Sequence, residues 1–98
     1  MRREDAIAAL KNEAEAVKAR GATALYLFGS TLRNEAKPDS DVDVFIDYAH
    51  GTGFSLIELL GIKHHLEDRL GIHVDVTTRD SLHPLLKKKI EASAERIF

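Results

Sequence analysis

The 98-residue sequence contains no cysteine and no tryptophan. Without cysteine there can be no disulfide framework, no thiol nucleophile and no cysteine-ligated zinc site. The sequence also lacks an apolar run long enough for a signal-peptide core or a membrane span. We therefore expect a cytoplasmic protein that makes no use of a membrane.

The sequence also has little excess charge. Its 14 basic and 16 acidic residues leave a net charge of −2, so direct nucleic-acid binding through a basic surface is not expected. Hydrophobic residues make up 44% and charged residues 31%, as in soluble globular proteins. A chain of this length predicts a single domain over residues 1–98, large enough for one small sheet with helices packed against it.

The segment around Gly29 has the pattern of a strand that leads into a ligand-binding turn. Ala24–Phe28 is apolar on both faces, which is typical of a strand in the middle of a layered α/β domain. Gly29 permits a sharp turn and close approach of a ligand to the backbone. Ser30 is a candidate N-cap for a helical segment that starts at Thr31, whose amides would attract an anion. Taken alone, a Gly-Ser pair after an apolar strand is more often an ordinary strand-to-helix turn.

The next segment carries two carboxylates at strand spacing. The turn Pro38–Ser40 is followed by residues 41–47, in which acidic and apolar residues alternate. Asp41 and Asp43 therefore face the same way, about 6–7 Å apart along the strand. Two such carboxylates suit Mg²⁺, which prefers oxygen ligands and leaves positions for phosphate. A solvated edge strand with two exposed acids is the alternative.

A third carboxylate lies on the only other clear strand, Ile72–Thr77. Val74 and Val76 share one face, and Asp75 lies on the other. If this strand lies beside the first acidic strand with its valines in the same core, Asp75 joins Asp41 and Asp43. Three acids on one sheet face suit two metal ions that bracket a triphosphate.

These residues together resemble the nucleotidyltransferase superfamily of the DNA polymerase β type. More narrowly, the chain is similar to the minimal nucleotidyltransferases (MNT proteins), small domains usually encoded beside a HEPN-domain protein. The motifs that carry the resemblance are Gly29-Ser30, Arg33, Pro-Asp-Ser-Asp-x-Asp over 38–43 and Val-Asp-Val over 74–76. The resemblance covers residues 5 to 98.

The resemblance implies roles for individual residues. It implies that Asp41, Asp43 and Asp75 are the catalytic residues and Mg²⁺ ligands, with Asp75 also activating the acceptor hydroxyl. It implies that the nucleotide is bound by a second set of residues: Gly29, Ser30, Arg33 and Ser40.

Three positions in the glycine turn leave alternatives open or depart from the family pattern. Arg33 could reach a triphosphate oxygen or pair with a nearby acid, Asp39 or Glu35. Leu32 and Asn34 stand where many members have alanine and glycine. Asparagine tolerates the left-handed backbone that a glycine would adopt.

The resemblance implies an α/β (α+β) nucleotidyltransferase fold, with a mixed sheet of three or four strands and helices mainly on one face. It implies a Mg²⁺-dependent enzyme that transfers AMP from ATP to a hydroxyl, with tyrosine expected, of a partner HEPN ribonuclease toxin. The chain would then be an antitoxin. Alternatives are an inactive module that masks the toxin, or an antibiotic-modifying enzyme, which normally needs a second domain. Apolar residues at the end of the sequence are compatible with a homo-oligomer.

Helical periodicity predicts three further helices over Glu4–Arg20, Ser55–Leu70 and Pro84–Phe98. For the second helix the predicted buried stripe consists of Leu56, Leu59, Leu60, Lys63, Leu66 and Leu70. For the third helix it consists of Leu86, Ile90, Ala94 and Ile97. Adjacent histidines at 64 and 65 are expected to be solvated rather than metal-bound.

Overall fold

The computed structural model describes residues 1–35, 37 and 40–98. The helices are α1 (Arg3–Asn12), α2 (Ala14–Ala19), α3 (Gly29–Leu32), α4 (Leu56–Leu70) and α5 (Lys87–Ser93). The strands are β1 (Ala22–Phe28), β2 (Val42–Tyr48), β3 (Val74–Thr78) and β4 (Glu95–Arg96), and a 3₁₀ turn covers Arg79–Ser81. Within these ranges, none of the helices has the length and apolar character to cross a membrane.

The four strands form one mixed sheet in the order β3-β2-β1-β4. Strand β1 is antiparallel to both β2 and β4, whereas β2 and β3 are parallel. This arrangement confirms the predicted α/β fold and the central place of β1. It also brings the two acidic strands side by side.

The hydrophobic core lies on one face of the sheet. Strand residues at alternate positions reach it together with residues of α1, α2 and α4, as expected for a sheet covered by helices. The fully buried members include Leu10, Val17, Leu25, Leu27, Val42, Val44, Ile46, Ile62, Leu66 and Val74. The acidic side of β2 and β3 therefore faces away from this core, as predicted.

The predicted N-terminal helix is interrupted at Glu13, which separates α1 from α2. The backbone of Glu13 leaves the helical region (φ −100°, ψ 7°). Its carboxylate, only 11% exposed, binds His65 Nε2 at 2.8 Å and Arg69 Nε at 3.3 Å. Periodicity could not reveal this interruption, because the partners lie on α4, more than 50 residues away.

Helix α4 occupies nearly the predicted range. Ser55 is the N-cap and forms a capping box with Glu58, and Gly71 ends the helix in the left-handed conformation (φ 68°). The predicted buried stripe is partly wrong, because Leu56 and Leu60 are 67% and 42% exposed. The buried positions are Ile62 and Leu66, with Leu59 and Leu70 packed against the core.

The predicted C-terminal helix over Pro84–Phe98 is wrong over most of its length. The regular helix α5 spans only Lys87–Ser93, and β4 follows it. Ile97 N donates to Leu25 O at 2.8 Å, so the chain end adds an edge to β1. Ile97 lies in the core, as the apolar pattern suggested, but it does so next to a strand and not on a helix.

Candidate active site

Two of the three predicted carboxylates lie side by side on the open face of the sheet. Asp43 of β2 and Asp75 of β3 are paired in register, so their strands hold them at one strand spacing of about 4.8 Å. Asp41 lies directly before β2 and is exposed. Neighbouring residues fix this register, because Val42 and Val74 are paired and both are fully buried.

The electrostatics show that the carboxylates act on one another. Partial burial raises the pKa of Asp43, and the negative charges of Asp75 and then Asp41 raise it further. Arg33 opposes this rise in the pKa of Asp43 through its positive charge. Three acids and one guanidinium therefore lie close enough to influence the pKa of Asp43.

Mg²⁺ is compatible with this donor set. Across residues 1–35, 37 and 40–98, no three acidic or histidine side chains converge tightly enough to enclose an ion by themselves. Mg²⁺ is usually held by only one or two carboxylates, with water and substrate phosphate as its other ligands. Adjacent carboxylates whose charges repel, with an open side, fit that mode of binding.

Gly29 is packed directly against this acidic cluster. Its backbone has φ +79°, and a Cβ built there would lie 2.5 Å from Oδ2 of Asp43. Only glycine satisfies both conditions without moving the carboxylate. The end of β1 and the acidic strand β2 are thus in close contact, and they form the two sides of one site.

The glycine turn forms a single helical turn, α3, which starts at Gly29, two residues before the predicted start at Thr31. Ser30 lies inside α3, and the prediction that it caps the helix is wrong, because the capping position is Phe28. Ser30 O accepts a hydrogen bond from Glu35 N at 2.9 Å. Asn34 adopts the left-handed conformation that its residue type suggested (φ 58°).

Arg33 and Ser40, two further predicted nucleotide ligands, already have partners within the chain. Arg33 Nε pairs with Glu35 Oε2 at 3.1 Å, which is one of the two alternatives that the sequence left open. Ser40 Oγ accepts a hydrogen bond from Lys37 N at 2.9 Å. The predicted turn residues Pro38 and Asp39 lie outside the described residues. Contacts of Gly29, Ser30, Arg33 and Ser40 with a nucleotide remain predictions.

An arginine network that the sequence did not reveal covers the far end of the same sheet face. Arg79 donates to both carboxylate oxygens of Asp47, at 2.8 and 3.0 Å, and to Glu91 Oε2 at 2.6 Å. Its guanidinium lies 4.8 Å from the ring centroid of Tyr26 and 5.1 Å from that of Phe45. These contacts attach α5 to the end of the sheet that lies away from Asp43 and Asp75. No local signal marks Arg79, since its partners are 12 and 32 residues away.

Two histidines have structural partners rather than a place in the site. His65 was expected to be solvated, but it is half-buried and binds Glu13. His73 shares a face with Asp75 in the sequence pattern, yet its Nδ1 pairs with Glu67 Oε2 at 3.0 Å. Neither imidazole is among the groups that raise or lower the pKa of Asp43.

Comparison with known proteins gives one family match over nearly the whole chain. A family model described as "Nucleotidyltransferase domain" matches residues 10–97. A "putative protein adenylyltransferase" of Methanocaldococcus jannaschii is 48% identical over 64 residues, 65% of this chain and 67% of that protein. The protein adenylyltransferase MntA of Thermococcus cleftensis is 36% identical over 70 residues, 71% of this chain and 69% of that protein. The matched segment thus spans roughly two thirds of each of these relatives.

Solved structures share the same fold. One described as a "putative minimal nucleotidyltransferase" gives a TM-score of 0.75 at 31% identity, over 97% of this chain and 95% of that one. A toxin–antitoxin structure with AMP-PNP gives 0.72 at 19% identity, over 90% and 72% of the two chains. A complex of the tri-AMPylated Shewanella oneidensis HEPN toxin with its MNT antitoxin gives 0.64 at 18% identity, over 90% and 68%. The last two likenesses show a shared fold.

Proposed function

Because the chain belongs to the nucleotidyltransferase domain family, we propose that it transfers AMP from ATP to a hydroxyl of a HEPN-domain toxin and so acts as its antitoxin. The observation that carries the proposal is the register that places Asp43 beside Asp75, with Gly29 packed against Asp43. This register brings a carboxylate pair and a glycine turn to one point from three separate segments of the chain.

The residues divide the chemistry between them. The backbone at Gly29 and Ser30 offers amides to the β- and γ-phosphates, and Arg33 adds positive charge on the same side. Asp41, Asp43 and Asp75 would hold Mg²⁺, which when bound supplies charge neutralisation for the triphosphate. Positioning and charge neutralisation supply most of the catalysis in such transfers.

The bond changes follow from this arrangement. The acceptor oxygen attacks the α-phosphorus and forms the new P–O bond, while the bond to the bridging oxygen breaks and pyrophosphate leaves. Asp75 accepts the proton of the acceptor hydroxyl, since its side chain is exposed on the sheet face, where an acceptor can approach. Asp43, which is more buried, remains the inner carboxylate of the pair.

A protein hydroxyl is the acceptor that the chain favours. Its net charge of −2 does not favour binding of a nucleic-acid primer. The MntA relative is named a protein adenylyltransferase, and the HEPN toxin in one complex of the same fold is described as tri-AMPylated. A tyrosine hydroxyl of the toxin is the proposed acceptor.

Label transfer tests this function. The chain is incubated with α-labelled ATP, Mg²⁺ and the HEPN-domain protein of the same genome, alongside the variants Asp41→Asn and Asp43→Asn. We expect label on the HEPN protein with the wild type and none with either variant. If both variants inhibit the partner as well as the wild type does and no label moves, the chain acts as a masking module and the proposed transfer is wrong.

A further inference from the structure

The edge of β3 is capped by two side chains of α4 rather than by another strand. β3 is the outermost strand of the sheet. Because Val42, the register partner of Val74, donates to His73 O, the N–H and C=O of Val74 itself point away from β2. Glu67 Oε2 accepts from Val74 N at 3.1 Å, and Lys63 Nζ donates to Val74 O at 2.7 Å. Both backbone groups at this edge position are therefore satisfied by side chains.

The two side chains also bind each other. Lys63 Nζ lies 3.1 Å from Glu67 Oε2, one helical turn away, and their side chains are only 26% and 23% exposed. The hydrogen bond from Val74 N and the pairing with Lys63 lower the pKa of Glu67, so its carboxylate is held in the charged form. We refer to Lys63 and Glu67 together as the edge clamp.

The edge clamp acts on the residue directly before the third carboxylate. Val74 is fully buried through its side chain and fixed at the outer edge by the clamp, while Val42 N donates to His73 O at 3.0 Å on the inner edge. Val74 is therefore held by three sets of contacts: with the core, with α4 and, through the preceding carbonyl, with β2. The position of the next residue, Asp75, relative to Asp43 depends on them.

We propose that Lys63 and Glu67 are positioning residues for Asp75, and that the edge clamp sets the affinity of the carboxylate site for a divalent cation. The inference depends on the proposed metal site, and it assigns a role to residues that do not touch it. Without the clamp, the outer hydrogen bonds of Val74 pass to water, and the start of an edge strand frays. Asp75 would then no longer be held beside Asp43.

A matched pair of variants separates this role from a general contribution to stability. Glu67→Gln neutralises the clamp while retaining the shape of the side chain. Glu13→Gln neutralises a second partly buried carboxylate that pairs with α4, through His65 and Arg69 rather than through a backbone group of β3. Lys63→Met removes the donor to Val74 O and retains the apolar stem, so it provides a second clamp variant with an intact helix surface.

The experiment is a titration of the full-length proteins with Mn²⁺ alone, in which free Mn²⁺ is counted by electron paramagnetic resonance. We expect Glu67→Gln and Lys63→Met to weaken Mn²⁺ binding by roughly tenfold, near the lower end for loss of an outer-shell partner. Glu13→Gln should bind as the wild type does. In an Asp75→Asn background, Glu67→Gln should have no further effect, because the clamp acts through Asp75.

Two results overturn the inference. One is wild-type affinity in Glu67→Gln, and the other is an equal loss of affinity with and without Asp75. If the wild type shows no saturable Mn²⁺ binding, the proposed metal site fails, and the inference fails with it. Amide exchange at Val74 gives a readout that needs no metal: Glu67→Gln should exchange faster there than Glu13→Gln, and equal rates would contradict the clamp.

Discussion

At the scale of single residues, the contact between Gly29 and Asp43 is the most demanding feature of the site. A side chain at position 29 would meet the carboxylate at 2.5 Å, and the backbone there has a positive φ of 79°. The glycine at position 29 is therefore needed to leave room for the Asp43 carboxylate, in addition to any contact of the turn with phosphate. Gly51 has a similar φ of 82°, but a Cβ at that position would meet none of the described residues within 4 Å.

This pair of glycines gives a controlled prediction. Gly29→Ala should lose about 1–2 kcal/mol of stability from the left-handed backbone and at least about 100-fold of transfer rate from displacement of Asp43. Gly51→Ala should lose a similar amount of stability and retain its transfer rate. Urea unfolding and initial-rate assays measure the two quantities. Equal transfer rates for the two variants would show that the Gly29 contact is unimportant.

The raised pKa of Asp43 predicts that this residue lowers the stability of the fold. Burial and the charges of Asp75 and Asp41 disfavour its ionised form, so the folded state loses stability as pH rises above the ordinary aspartate value of 3.8. A group that costs stability in this way is typical of a functional site.

Asp43→Asn should therefore be more stable than the wild type at pH 7, although we expect it to lose transfer activity. We expect a gain below about 1 kcal/mol, or a few degrees of Tm for a domain of this size. The gain should shrink as pH falls toward 3.8, because the raised pKa lets the folded wild type take up this proton before the unfolded chain does. Thermal unfolding at several pH values, with the exposed Asp68→Asn as control, measures it. A less stable Asp43→Asn at pH 7 would contradict the electrostatic interpretation.

The residue pattern predicted that Asp43 and Asp75 face away from the core, for a physical reason. Strand alternation fixes which side chains share a face, so Asp43 and Asp75 could be assigned to the side opposite the valines from sequence alone. The close approach of Asp43 to Gly29, which leaves no room for a Cβ at position 29, could not be predicted in the same way. It depends on the approach of two strands whose pairing, Phe28 with Asp43, is set by the whole sheet.

At the scale of elements, the C-terminal segment shows where local pattern is insufficient. Leu86, Ile90, Ala94 and Ile97 have helical spacing, yet the last residues add a strand to β1. Helix formation by a short segment is marginal without packing, whereas edge pairing satisfies backbone groups of β1 and buries Ile97. Pairing between segments so far apart in the chain leaves no local signal in the sequence.

This reassignment predicts unequal effects for two apolar residues near the chain end. Ile97 is 7% exposed and belongs to the core, whereas Leu85 is 87% exposed. Ile97→Ala should destabilise the fold by about 2–4 kcal/mol, and Leu85→Ala by no more than about 0.5 kcal/mol. Equilibrium denaturation in urea distinguishes them. Similar small effects for both would indicate that β4 does not anchor the sheet.

Other elements were predictable because their signals are local. Ser55, Glu58 and Gly71 mark the ends of α4 through a capping box and a left-handed C-cap, and the structure has both. The exposed Leu56 and Leu60 were misassigned, because a leucine-rich helix offers more than one apolar stripe. Burial is decided by where the sheet lies, and that information is not contained in the helix.

At the scale of the whole molecule, the sheet has one helix-covered face and one face that is divided in two. Arg79, held by Asp47 and Glu91, covers the end at which β2 and β3 finish, and Asp43 and Asp75 lie toward the end at which they start. The acidic end is therefore the end from which the proposed nucleotide and acceptor would approach. The sequence predicted an open acidic face but not the arginine network that limits its extent.

The most direct measurement of the central claim is the intact mass of the HEPN-domain protein purified after co-expression with this chain. The account predicts that the mass rises by one or more whole AMP units with the wild type. With Asp43→Asn we expect an unmodified mass, although the two proteins still co-purify. An unmodified mass with the wild type, or the same increase with Asp43→Asn, would contradict the assignment of these carboxylates to AMP transfer.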